Sequence, residues 1–227
     1  MKVIGLLGGT SWPSTFCYYE ALNRAAQDVF GGFHSARILL YSIDYHPLKS
    51  RYQNGWDEIP ALLAKEIGFL LEKKPDCLIV CNNTLHRALD VIRADRDIPV
   101  PVFHAGHLAV EEALRQDFKK VLLVATAFTM EDGFFAKYFQ DKGIEVIIPV
   151  AEDRAVIQAI QTQLAQGNNE LSFEATFVSI LNRYLDVDAI VLACTELPLL
   201  INEGNAPRPL INTIQCQCRA AAQFAFQ

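Results

Sequence analysis

Residues 76–86 read DCLIVCNNTLH, and residues 188–198 read DAIVLACTELP. Each opens on an aspartate, runs through a short apolar stretch and ends on small polar residues. An apolar run without alternation is the mark of a strand buried on both faces, and such strands belong to parallel sheets covered by helices. With the two aspartates aligned, Cys81 stands opposite Ala193, and Cys194 stands opposite Asn82. The two stretches read as equivalent strand ends, one carrying cysteine where the other carries asparagine.

The same pattern extends along the chain in both directions. Strand-like runs lie at 2–7, 37–43, 76–81, 100–104, 120–125, 144–149, 188–193 and 208–212. Helical patterns fall between them, at about 14–29, 57–73, 84–94, 105–116, 131–142, 152–166, 171–185 and 214–226. Alternating strands and helices predict an α/β fold with mainly parallel sheets flanked by helices. The chain also resembles itself. The segment from Lys2 (KVIGLLGGTS) matches that from Lys120 (KVLLVATAFT), Asp76 matches Asp188, and IPVPVFH from Ile98 matches APRPLIN from Ala206. Three matches in one order predict two similar tandem domains. We expect the first to comprise 1–98 with the C-terminal segment 208–227, and the second 99–207.

Composition narrows the function. With 227 residues and a net charge of −6, the chain carries no basic stripe, so neither nucleic acid nor polyphosphate is an expected partner. No apolar run approaches the ~18 residues of a membrane span. MKVIGLLGGTSW is too short in its apolar part for a secretion signal and reads as a buried first strand. A cytoplasmic protein is therefore expected, with Cys17, Cys77, Cys81, Cys194, Cys216 and Cys218 as thiols. No metal site is expected, because the Cys216–Cys218 pair lacks ligand spacing and the five histidines are scattered.

In open parallel sheets ligands bind beyond the carboxyl ends of the strands. Four polar loops fall there: GGTS (8–11), NNT (82–84), TAFT (126–129) and CTE (194–196). If the halves face each other, these loops line one cleft. Cys194 follows a strand and precedes an expected helix start, where amide dipoles favour a thiolate; a buried apolar cysteine would look the same. Asn82, Asn83 and Thr84 suit either a carboxylate or a helix cap. GGTS lets backbone approach a ligand but matches neither the dinucleotide nor the Walker pattern. Thr126 and Thr129 are hydroxyl donors in the matching loop. Arg51 is a cation that could grip a second carboxylate.

Taken together, IGLLGGTSWPST, GGFHSARILLYSID, CNNTLH, TAFTME and CTELPLL resemble the aspartate/glutamate racemase family, from the first strand nearly to the last. The resemblance implies two tandem α/β domains with the active site in the interdomain cleft, a cofactor-independent reaction, a small dicarboxylic amino acid as substrate and often a homodimer. It implies two acid/bases on opposite faces of the substrate α-carbon, one removing the proton and the other returning one. Cys194 matches the second of these. Thr10, Asn83, Thr84, Thr129 and Thr195 match ligand-binding positions, and Arg51 or its neighbour Tyr52 stands near a further one.

The first acid/base position, cysteine in many members and threonine in a subgroup, is Asn82 here. An amide has no useful pKa, and the adjacent Cys81 points to the other side of an extended segment. Three functions follow: a racemase of aspartate, glutamate or an analogue; a one-cysteine enzyme of decarboxylase or maleate-isomerase type; or a catalytically impaired carboxylate-binding homologue.

Overall fold

The first strand, β1 (Ile4–Gly8), is buried at every residue, as its unbroken apolar run requires. It leads into α1 (Trp12–Phe30), which has Pro13 in its first turn, where a missing N–H costs nothing, and ends at Gly31. Then come β2 (Ile38–Ser42), the single turn α2 (His46–Lys49), α3 (Ile59–Leu71), β3 (Cys77–Val80), α4 (His86–Asp95) and α5 (Ala105–Arg115). The second series is β4 (Lys120–Val124), α6 (Ala127–Asp132), α7 (Phe134–Gln140), β5 (Glu145–Ile147), α8 (Ala151–Ala165), α9 (Leu171–Leu181), β6 (Ala189–Leu192), β7 (Leu210–Asn212) and α10 (Thr213–Ala225). This computed structural model describes residues 1–227, apart from the side chain of Leu171. Among the described residues no helix is long and apolar enough to cross a membrane.

Two compact units result: Met1–Ala105 with Gln217–Gln227, and Gly106–Cys216. In the first, the strand order is β2-β1-β3, all parallel, with Val102 bridging to Leu78 on the far side of β3. In the second the order is β5-β4-β6-β7, again all parallel. The two patterns are the same once Val102 is set against β7. The register agrees in detail. Gly5 pairs with Leu78 and Leu78 with Val102; Leu122 pairs with Ile190 and Ile190 with Leu210. The repeat read from the sequence is therefore present, with one adjustment: Ile4 corresponds to Val121, so Lys2 matches Lys119 and not Lys120.

The expected division of the chain needs correcting at 208–212. That segment forms β7 beside β6 in the second sheet, while 100–104 supplies the outer bridge of the first. Each segment joins the sheet whose strand immediately precedes it, as short crossovers favour. Only 217–227 returns to the first unit. There the Gln217 side chain accepts from the Tyr18 hydroxyl at 2.7 Å and donates to the Phe103 carbonyl at 2.7 Å, while the Lys2 N–H donates to the Ala225 carbonyl at 2.8 Å.

The aspartates that open the two matched stretches are structural. Asp76 accepts the Val3 N–H at 2.6 Å; Asp188 accepts those of Lys119 and Lys120 at 2.7 and 2.9 Å. Each pins the start of its strand to the neighbour and so fixes the register on which the strand-end loops depend. Ile4, Leu6, Leu22, Leu63 and Ile79 are fully buried in the first unit; Val121, Phe135, Phe139 and Phe177 are fully buried in the second.

Candidate active site

In the first unit, loops after β1, β2 and β3 collect at the carboxyl edge of the sheet. Gly9 turns the chain with φ +83°, and a Cβ there would strike the Ile43 backbone, so only glycine lets the β1 and β2 loops lie this close. The Ile43 N–H donates to the Gly8 carbonyl at 3.0 Å. The Thr10 hydroxyl donates to the Cys81 carbonyl at 2.8 Å, tying the β1 loop to the β3 loop. Ser11, at the N-cap of α1, is buried, and its hydroxyl has no hydrogen-bond partner among the described residues.

Asn82 is held from two sides. Its Oδ1 accepts the Leu85 N–H at 2.9 Å, which directs Nδ2 to the Tyr45 phenol oxygen at 3.2 Å. The hydroxyls of Tyr45 and Tyr52 are 2.5 Å apart. The Tyr52 ring packs edge-on against Tyr45 and Trp56. Asn83 and Thr84 are buried in the turn that leads into α4, their carbonyls accepting from the His86 and Arg87 N–H groups. Arg51 is turned elsewhere, its Nε on Glu58 Oε2 at 2.6 Å and its Nη1 on the Pro47 carbonyl at 2.6 Å. Of the adjacent pair Arg51 and Tyr52, it is Tyr52 that meets the Tyr45 hydroxyl beside Asn82. His86 is buried, with Nε2 3.3 Å from the Val80 carbonyl and its ring against His104; it packs beneath the loop.

Cys81 is fully buried, and burial, with Cys218 nearby as a lesser cause, pushes its thiol well above the ordinary range. Such a thiol is a poor proton acceptor.

In the second unit the loops after β4 and β6 carry the candidate groups. Thr126 caps α6: its hydroxyl oxygen accepts the Thr129 N–H at 3.3 Å and lies 3.0 Å from the Thr129 hydroxyl. Gly133, left-handed at φ +83°, divides the helix expected at 131–142 into α6 and α7. Cys194, two residues past the end of β6, is 3% exposed and donates from Sγ to Glu196 Oε2 at 3.0 Å. Thr195 donates to the same oxygen at 3.2 Å. The expected helix start after Cys194 is absent: only a 3₁₀ turn, Leu197–Leu199, follows. The neighbour of the thiol is thus a carboxylate, where a helix dipole was expected.

Sequence reading missed Tyr45 and Ser11. The tyrosine lies in a loop with no motif of its own, and the serine looks like an ordinary cap.

The matched strand ends, a cysteine in one and a hydrogen-bonded asparagine in the other, can be compared with known proteins. The family model described as Asp/Glu/Hydantoin racemase matches residues 7–221. The chain belongs to this family. A Yersinia pestis protein regarded as an Asp/Glu racemase has a crystal structure that superposes with a TM-score of 0.86 at 32% identity, over 100% of both chains. An aspartate racemase homologue from Pyrococcus horikoshii OT3 gives 0.84 at 28% identity, also over 100% of each chain. The glutamate racemase of Campylobacter jejuni is 29% identical over 63% of this chain, and the match spans 57% of that enzyme's length. The fold expected of the family, two parallel sheets each flanked by helices, is the one observed.

Proposed function

We propose that this family member is an amino-acid racemase for aspartate, glutamate or a close analogue. The observation that carries this reading is the buried Cys194–Glu196 pair at the end of β6, where a thiol meets a proton acceptor at 3.0 Å. Cys194 takes the α-proton on one face, or returns it. Thr10, Ser11, Asn83, Thr84, Thr129 and Thr195 supply hydroxyl, amide and backbone donors for the substrate carboxylates, which stabilises charge developing at the α-carbon. The buried Ser11 hydroxyl, with no partner among the described residues, supports a ligand group at the β1 loop. The proton chemistry is assigned to the protein's own side chains, with no cofactor.

Incubation with aspartate and glutamate in deuterium oxide tests this directly. Deuterium enters the α-position, and Cys194→Ala stops it. If no acidic amino acid exchanges its α-proton, the racemase reading is wrong.

Asn82 favours one second reading. A fixed amide at the end of β3, where the matching strand end carries a cysteine, suits one-base chemistry of the decarboxylase or maleate-isomerase kind. Turnover of a malonate or of maleate, with aspartate inert, selects it.

Six cysteines read as thiols support a cytoplasmic protein. Trp12, Phe16 and Tyr19, 67%, 62% and 47% exposed on one face of α1, support a homodimer through that face.

A further inference from the structure

The first unit leaves a set of large aromatic side chains in water. Trp12, Phe16 and Tyr19 follow one another at four- and three-residue steps, which places them along a single face of α1. At the end of the helix the chain turns back through Gly31 and Gly32, at φ +65° and +56°, and sets Phe33, fully exposed, beside the same face. Monomeric proteins seldom leave a contiguous apolar patch of this kind uncovered.

Between the helix and the returning chain lies a cavity of about 510 Å³, walled by Phe16, Tyr19, Asn23, Gln27, Gly32 and Phe33. Its walls are tied together. The Gln27 side-chain amide donates to the Gly32 carbonyl at 2.6 Å, the Gly31 N–H to the Gln27 carbonyl at 2.8 Å, and the Ala36 N–H to the Asn23 side chain at 3.1 Å. A Cβ placed on Gly32 would meet no atom within 4 Å, so the cavity is open beside it. A seat built in advance loses little entropy when it is filled. Glu20 and Arg24 stand on its rim and pair with each other at 2.5 Å.

Knob, seat and rim charges match under one symmetry operation. Two copies of α1 laid antiparallel about a two-fold axis level with residue 22 set Trp12 of each opposite Gly32 of the other, at the open side of the cavity. The same axis sets Glu20 of each opposite Arg24 of the other, because both pairs are centred on 22. A parallel pairing would set Trp12 against Trp12 and fill neither cavity. Trp12, Phe16, Tyr19 and Phe33, half to fully exposed, present on the order of 600 Å² per copy. Two copies then bury roughly 1,200 Å², above the ~1,000 Å² that a specific interface needs.

We propose that α1 pairs antiparallel with α1 of a second copy of this chain, Trp12 of each seated in the cavity between α1 and Phe33 of the other, and Glu20 of each meeting Arg24 of the other. The inference rests on the homodimer reading given above and adds its register. The aromatic seats supply the affinity, and the rim charges select the alignment.

Sedimentation equilibrium of the full chain over a range of concentrations tests it, with circular dichroism to show that each variant is folded. Trp12→Ala is expected to raise the dimer dissociation constant on the order of 10²-fold, as loss of a buried aromatic anchor does. Glu20→Arg and Arg24→Glu each place like charges at both symmetry-related contacts and should raise it about tenfold or more. In an equimolar mixture of these two variants opposite charges meet again between copies, and dimer formation returns to near the wild-type level. Within each chain positions 20 and 24 still carry like charges, so this rescue reports the contact between copies alone. If the mixture dimerises no better than either variant alone, or if Trp12→Ala dimerises like the wild type, the register is wrong while the homodimer stands. If the wild type is a monomer throughout, the homodimer reading falls and takes the proposal with it.

Discussion

The thiol of Cys194 donates to Oε2 of Glu196 at 3.0 Å, and both side chains are almost wholly buried. A buried carboxylate beside a buried thiol is an unusual neighbour, because unpaired polar burial is costly. The pair satisfies itself, with Thr195 adding a third donor to the group.

Glu196→Gln tests what the carboxylate does. Glutamine keeps the size and the accepting oxygen but cannot take up a proton. If Glu196 shuttles the proton of Cys194, α-proton exchange falls by roughly 10²-fold or more while the melting temperature stays close to wild type. Unchanged kcat in a well-folded variant would show that the carboxylate only packs.

Cys81 stands one place from the expected acid/base, yet burial pushes its thiol well up, and that of Cys77 rises to about 12 for the same leading reason. At mildly alkaline pH both stay protonated in the folded protein. Iodoacetamide mapped by mass spectrometry is expected to spare them natively and to label them in urea. Cys81→Ala leaves exchange intact and lowers stability by about 1 kcal/mol, as loss of a small buried group does. Loss of exchange in that variant would reinstate Cys81 as a base.

Asp188 is held below the usual carboxylate value, first by the Lys119 N–H and then by that of Lys120. A lowered value in the folded state means that the ionised group stabilises the fold above its unfolded value of ~3.9, and that this is lost as pH falls through the folded value. Urea midpoints of wild type and Asp188→Asn are therefore expected to differ at pH 7 and to converge in acid. A gap that stays constant down to pH 2 contradicts the assignment.

Gly9 and Gly133 share φ +83°, but only at Gly9 would a Cβ meet backbone, that of Ile43. Gly133→Ala should cost only the left-handed penalty, about 1–2 kcal/mol. Gly9→Ala adds a collision and should exceed it clearly. Thermal melts of the two variants decide this, and equal losses would mean that the β1 and β2 loops can separate.

Much of this was readable because buried parallel strands advertise themselves. All seven strands fall within or against the unalternated apolar runs, and the matched DCLIVC and DAIVLA stretches align residue for residue in the two sheets. The segment 100–104 forms one bridge only, the Leu78 N–H donating to the Pro101 carbonyl as the Ile190 N–H donates to that of Pro209 before β7. Sequence could not show which way long side chains turn. Arg51 looked like a carboxylate clamp until Glu58, seven residues on, claimed its guanidinium. Tyr45 was invisible for the opposite reason, since its meaning comes from Asn82, distant in sequence and adjacent only through strand order.

The helix α10 starts in the second unit and ends in the first. During synthesis, then, the unit that begins first is completed last. With β1 already formed, the Gln217 side chain that bridges Tyr18 and Phe103 and the carbonyl that receives the Lys2 N–H are still untranslated. At about 5–20 residues per second the wait is on the order of ten to forty seconds. Throughout it the first unit remains open along the side that its last helix will close, while the second, one unbroken length of chain, is made in its entirety before Gln217 is added.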